Sequence, residues 1–283
     1  MSVALLLGLF SAITLAFANL AVKMGSDILV GRAILSGSAA LLILPFAFVV
    51  MAPDAATWQA LAWAIPAHLV YQFCLVRAMQ AGDLSLVFPV MRGIAPLLTA
   101  TAALVLLDER LSGWGWLGLL IATGAVIVFA LPRRVAGGVD VPDRAALGWA
   151  LATAIGVALY NVADARGVRI APEPFTYIVW LFLLDWIGVT VAAILWRRRM
   201  LIGVVRAKWR YGVAAGAMSI ASFGAALYAM SLIEAAKVSA LRETAVLWAA
   251  IMGALVLKEG FGARRIFAAT GVVAGLAMLQ FLG

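Results

Sequence analysis

Arg92 stands in FPVMRGIAPLL and the pair Arg242–Glu243 in KVSALRETAVLW, each several residues inside an apolar run. Asp185 sits in the middle of LFLLDWIG, and Asp164 follows Asn161 in YNVADAR. A charge held at membrane depth without compensation costs about 2.5 to more than 10 kcal/mol, so such residues mark binding sites, proton relays or mutual pairs. Two chemistries fit these residue types. In one, the arginines hold an anionic group of a substrate, because the planar guanidinium matches carboxylate or phosphate as a fork. In the other, Asp185 and Glu243 neutralise the arginines structurally. The two overlap, since a pair can open when substrate arrives.

Helical spacing adds a wall to this site. His68, Tyr71, Gln72 and Leu75 fall at i, i+3, i+4 and i+7, one stripe of a helix. Ser219, Ser222, Phe223 and Ala226 form a second, mildly polar stripe, and Thr153, Tyr160, Asn161 and Asp164 share a third face. A single histidine is usually an interior hydrogen-bonding residue, and its place in a polar stripe raises His68 to a candidate for the cavity wall. Asn19 pairs with Asn161 across the two halves of the chain, and Trp248 lies deep enough to stack on a ligand, as does Trp180. The candidate substrate-binding set is therefore Arg92, Arg242, Glu243, Asp185, His68, Tyr71, Gln72, Asn19, Tyr160, Asn161, Asp164, Ser222 and Trp248. Pro89 and Pro96 each remove a backbone donor beside Arg92, which either kinks the helix for packing or turns backbone dipoles toward a site.

Other motifs carry less. One His and one Cys, Cys74, leave no metal-ligand cluster and no intramolecular disulfide. GWGWLG, 113–118, matches G-x-G-x-x-G in letters but opens an apolar helix with no βαβ unit around it. The pairs Gly212/Gly216 and Gly271/Gly275 read as close helix contacts. No Walker sequence, nucleophile–base pair or cofactor motif is present, so the expectation is a chain without cofactor that is not an enzyme.

The elements that must position these residues are membrane helices. Of 283 residues, 66% are hydrophobic and 12% charged, and mean hydropathy is +1.09. A soluble domain is about a quarter charged, and no soluble fold of this size hides so much apolar surface. The runs are continuous, which excludes the alternating strands of an outer-membrane barrel. Ten spans are predicted at 2–22, 31–51, 58–80, 84–107, 112–131, 145–165, 174–196, 210–231, 237–257 and 264–282. The first lacks a basic n-region and is expected to be a span, not a signal peptide. The net charge of +8 lies in short loops, where it sets topology and does not indicate nucleic-acid binding.

PRRVAGGVDVPDR, 132–144, reads as a linker between a first repeat, 1–131, and a second, 145–283. Arg92 aligns with Arg242, Glu109 with Glu259, Ala78-Met79 with Ala229-Met230, and Thr123-Gly124 with Thr270-Gly271. Five spans is an odd number, so the second repeat enters the bilayer inverted. That predicts an all-α integral membrane protein of two inverted five-helix repeats around a central cavity. On the side of the termini the loops carry Arg110, Arg166, Arg169 and Lys237, against fifteen cations on the other side. By the positive-inside rule both termini are outside.

Ten spans, the five-plus-five repeat and the motifs RGIAPLLTATAALVLLDERLS and LRETAVLWAAIMGALVLKEGF resemble the drug/metabolite transporter superfamily, in its ten-helix EamA-type branch with two tandem EamA domains. The family's apolar helix that ends in an acidic residue is matched at Glu109 and Glu259. The resemblance implies a carrier in a bacterial-type inner membrane, often an exporter of amino acids, working by alternating access. It also implies cytoplasmic termini, the reverse of the charge count. Three functions stay open: a secondary transporter of amino acids or related zwitterions, a carrier of organic acids, phosphonates or sugar phosphates, and a membrane enzyme or receptor. The expected partners are a small-molecule substrate, a proton as candidate coupling ion and membrane lipids, with a monomer sufficient and no nucleic acid.

Overall fold

The computed structural model describes residues 2–22, 27–82, 84–130, 144–245, 247–248 and 263–283, and the regular elements among them are all helical. In order they are α1 (Ser2–Val22), α2 (Ile28–Ile43) with a 3₁₀ turn (Leu44–Phe48), α3 (Ala55–Ala81), α4 (Leu84–Leu106), α5 (Gly113–Ala130), α6 (Arg144–Ile170), α7 (Pro174–Ser219), a π segment (Ile220–Gly224), α8 (Ala225–Met230), α9 (Ala235–Glu243) and α10 (Ala263–Phe281). Polar residues start them. The Asp27 carboxylate accepts the Val30 N–H at 3.1 Å and Asp54 accepts that of Thr57 at 2.8 Å, satisfying donors that have no partner within a first turn. Pro174 opens α7 at a position where its missing N–H costs nothing.

Five of the described helices or helix segments are long and apolar enough to cross a membrane: Ile28–Phe48, Ala55–Ala81, Arg144–Ile170, Pro174–Ala207 and Trp209–Met230. Four shorter apolar stretches, Val3–Leu15, Val90–Leu106, Gly113–Val128 and Phe267–Phe281, accompany them. Burial is inverted relative to a soluble core. Alanines dominate the interior, while Leu41, Phe48, Trp63, Leu195 and Phe267 are each more than 70% exposed. Small side chains let helices approach and large apolar ones meet lipid. The chain is an all-α, multi-pass membrane protein. Of the expected linker 132–144 all but Arg144, which opens α6, lies outside the described residues, as does the part of the expected span 237–257 beyond Trp248.

The chain forms two compact units, residues 1–69 with 163–234 and residues 70–162 with 235–283. Each takes sequence from both halves, because the boundaries fall inside α3 and inside α6. In the first unit α7 is helical throughout Pro174–Ser219, where the sequence suggested two spans and a basic loop. Packing nonetheless shows that it reverses direction. The Thr176 hydroxyl donates to the Met51 carbonyl at 3.1 Å and Arg197 Nε to Asp27 at 3.1 Å, an antiparallel course along α2. Gly212 then lies against Ile34 and Gly216 against Ser38 and Ala39, a parallel one. Residues 198–211, which join these two contacts, are themselves helical, and their Arg, Met, Leu and Val residues suit a helix and include no proline.

In the second unit α5 and α10 run antiparallel in close contact. Gly118 faces the backbone of Gly275 and Leu279, while Ala125 faces Gly271. A Cβ on Gly118 would meet the Gly275 carbonyl at 2.6 Å, and one on Gly275 would meet that of Gly118 at 2.5 Å. Only glycine permits this approach. Around it Ala100, Leu119, Ala122, Val126, Ala236, Ala240, Val272, Leu276 and Leu279 form the packed core of α4, α5, α9 and α10.

Candidate functional site

Arg92 and Arg242 meet in the second unit. α4 and α9 bring Arg92 Nη1 to 3.3 Å from Glu243 Oε1, with the two side chains 13% and 6% exposed. Arg242 is also buried and lies within electrostatic reach of both Arg92 and Glu243. Tyr71 on α3 and Tyr160 on α6 complete the group: both lie near the two arginines, and their rings meet edge-on at 5.0 Å. Gly156 makes this pairing possible, since a Cβ there would fall 2.9 Å from the Tyr71 Cα. Two guanidinium groups and the Glu243 carboxylate are thus gathered in one buried cluster. In a low-dielectric interior such a cluster attracts a further anion strongly.

Polar side chains line the approach. The Asn161 amide donates to Thr99 Oγ1 at 3.2 Å and to Ser239 Oγ at 3.3 Å, tying α6 to α4 and α9. Its Oδ1 is buried with no hydrogen-bond partner among the described residues, as is Thr123 Oγ1. Thr123, Gly93, Pro96, Ala240 and Glu243 share a small cavity. Pro96 and Gly93 line this cavity without breaking α4, which stays helical from Leu84 to Leu106.

Glu109 holds α9 in place. Asp108 adopts φ 53° immediately after α4, a left-handed turn that Asp tolerates better than most residues. The turn sends the Glu109 carboxylate onto the Ala235 N–H, with its oxygens at 2.9 and 3.2 Å. α9 is buried along its whole length, so its N-terminal donors need a protein acceptor, and a carboxylate also complements the helix dipole. The sequence marked Glu109 only as a repeated residue; its capping role depends on a contact 126 residues away in the chain.

A second polar cluster occupies the first unit. His68 Nε2 lies 2.9 Å from Asp164 Oδ2, and the Tyr177 hydroxyl donates to Asp164 Oδ1 at 2.8 Å. Asp185 Oδ1 stands 3.9 Å from His68 Nδ1. Phe223, carried by the π segment, closes edge-on over the imidazole at 5.7 Å. The stripe His68, Tyr71, Gln72 is therefore divided: His68 serves this cluster, while Tyr71 and the buried Gln72 belong to the second unit. Ser222 is buried and donates to the Ser11 carbonyl at 2.8 Å. Trp180 meets Trp58 edge-on at 5.2 Å. Trp248 is half-buried in the helical residues that follow the turn at Thr244, its N–H donating to the Thr244 carbonyl at 3.1 Å. The Asn19 side chain lies outside the described residues, as does Glu259. The sequence missed Tyr177, whose aromatic type in an apolar run gave no sign of a buried hydroxyl.

Buried opposite charges inside alanine-lined apolar helices mark polar clusters within a membrane protein. Comparison with known proteins agrees. Residues 144–281 match the model of the EamA-like transporter family. That segment overlaps the second repeat expected from the sequence, 145–283. A solved crystal structure of a protein shares the fold, with a TM-score of 0.79 at 20% identity over 100% of this chain and 98% of that chain. No curated protein matches the sequence.

Proposed function

We propose that the chain is a secondary transporter of small carboxylate-bearing metabolites, amino acids and related zwitterions first, working by alternating access in a bacterial-type inner membrane. The observation that carries this reading is the cluster in which Arg92 pairs with Glu243, with Arg242 buried beside them and Tyr71 and Tyr160 close by. A substrate carboxylate supplies the second negative charge, and the guanidinium fork fixes its orientation. The orphan acceptors Asn161 Oδ1 and Thr123 Oγ1, with Glu243, offer hydrogen bonds to a substrate ammonium. Two inverted five-helix repeats are the proposed frame. The EamA match over 144–281 and the antiparallel packing of α5 on α10 support it. Export is the direction that the family resemblance implies.

The two buried arginines also favour a second reading, a carrier of organic acids or phosphorylated anions. Glu243 separates the two. A zwitterion needs its carboxylate to meet the ammonium, whereas an anion does not. Proteoliposomes carrying the full chain are assayed for exchange of labelled amino acids, dicarboxylates and sugar phosphates. Amino-acid exchange lost at least ten-fold in Arg92→Gln and in Arg242→Gln supports the site. Wild-type rates in both variants overturn it. Glu243→Gln that abolishes amino-acid exchange while sparing anion exchange selects the first reading.

A further inference from the structure

The cluster around His68 is not used by the substrate site just described. Its parts come from separate elements: His68 from α3, Asp164 from α6, Asp185 and Tyr177 from α7, with Arg32 of α2 within electrostatic reach of the imidazole. Asp164 accepts at both oxygens, from the Tyr177 hydroxyl and from His68 Nε2. This fixes the neutral imidazole as the tautomer with its hydrogen on Nε2 and its lone pair on Nδ1. Nδ1 faces the second carboxylate, that of Asp185. Asp164 is fully buried, while the Asp185 side chain keeps 21% of its surface. A histidine gripped on one nitrogen and facing an accessible acid on the other is arranged to take up and release one proton.

The covering residue is carried by an unusual backbone. Phe223 lies in the π segment Ile220–Gly224, a rare helix form that is frequent at functional sites. We infer that His68, Asp164 and Asp185 form the proton-binding site through which a proton gradient drives the carrier, an inference that rests on the transport reading above. On loading, the Nδ1 lone pair takes a proton from water, one N–H bond forms and the imidazole becomes imidazolium between two carboxylates. On release the same bond breaks and the proton returns to water.

The sequence contains one histidine, so the full chain labelled with ¹⁵N-histidine in lipid nanodiscs reports this site alone. The expected spectrum passes from neutral imidazole to imidazolium between about pH 9 and pH 5. Asp164→Asn weakens proton binding about ten-fold or more, one unit in midpoint. Asp185→Asn, which keeps the His68–Asp164 bond, weakens it about three-fold or more and serves if the first variant does not fold. An imidazole in one state across that range, or a midpoint unmoved in every folded variant, overturns the site. In proteoliposomes the ratio of gradient-driven accumulation to exchange falls about ten-fold in His68→Gln; an unchanged ratio overturns the coupling role. An imidazole that titrates in a chain moving none of the tested solutes removes the transport reading instead, so the two failures are distinct.

Discussion

Replacing Gly167 by alanine tests how tightly the His68 cluster is built. Gly167 lies on α6, three residues after Asp164, and its missing side chain is the floor under the Tyr177 ring. A Cβ there would sit 2.1 Å from Tyr177 Cε2 and 2.3 Å from Cζ. Ordinary carbon contacts lie at about 3.5 Å or more, so the ring must retreat by about 1.4 Å. Tyr177 has no exposed surface to retreat into. A shift of that size also breaks the 2.8 Å bond from its hydroxyl to Asp164. Overpacking costs about 1–3 kcal/mol, and a lost hydrogen bond to a charged group about 1.5–3 kcal/mol. Alanine returns at most about 1 kcal/mol of helix propensity. The net destabilisation is about 1.5–5 kcal/mol, or roughly 3 °C or more of melting temperature by the scaling for soluble chains. Gly148→Ala on the same helix is the control, because nothing lies within 4 Å of its Cβ. Thermal unfolding in nanodiscs should show Gly167→Ala melting well below Gly148→Ala. Equal melting temperatures would refute the packing of Tyr177 on α6.

Removing the shared carboxylate with Glu243→Gln leaves the buried arginine cluster without its counter-ion and should cost about 3–5 kcal/mol. The double variant Arg92→Gln/Glu243→Gln should recover part of that in a thermal double-mutant cycle, and strict additivity would deny the pair. Glu109→Ala removes the cap of α9 and should cost about 1 kcal/mol, read as faster hydrogen exchange at the Ala235 amide. Asp54 gives a pH dependence at the start of α3. Hydrogen bonds from the Thr57 hydroxyl and then the Thr57 amide hold its carboxyl below the ordinary value. A depressed folded value means the cap contributes fully above the unfolded value, about 3.9, and is lost as pH falls through the folded one. The Thr57 amide protection factor should therefore drop on acidification to about pH 2.5, and Asp54→Asn should abolish that dependence.

Much of this was legible in the sequence because lipid imposes simple rules. Arg92, Arg242 and Glu243 stood out as charges in apolar runs, and the structure gathers them in one cluster. Gly271/Gly275 and Gly212/Gly216 read as packing contacts, and each glycine lies against a neighbouring helix. The stripe starting at His68 was a helical period and nothing more. Periodicity along one helix cannot say which helix faces each residue, so the assignment of His68 to Asp164 and Asp185 needed tertiary structure. One reading of the sequence set Asp185 against an arginine; the structure places its carboxylate 3.9 Å from the His68 imidazole. The basic stretch 197–210 read as a loop because charge implies solvent, yet Arg, Met and Leu are also strong helix formers. Glu109 and Tyr177 were opaque for the same reason: a cap and a buried hydroxyl are defined by partners distant in sequence.

The central claim is that the buried arginines read a substrate carboxylate. Competition against labelled amino-acid exchange in proteoliposomes tests it directly, using each unlabelled amino acid beside its carboxamide, which keeps the ammonium and loses the negative charge. The cluster of Arg92, Arg242 and Glu243 predicts that the free acid competes and the carboxamide does not, and that Arg92→Gln and Arg242→Gln erase the difference. Equal competition by acid and carboxamide in the wild-type protein would contradict it.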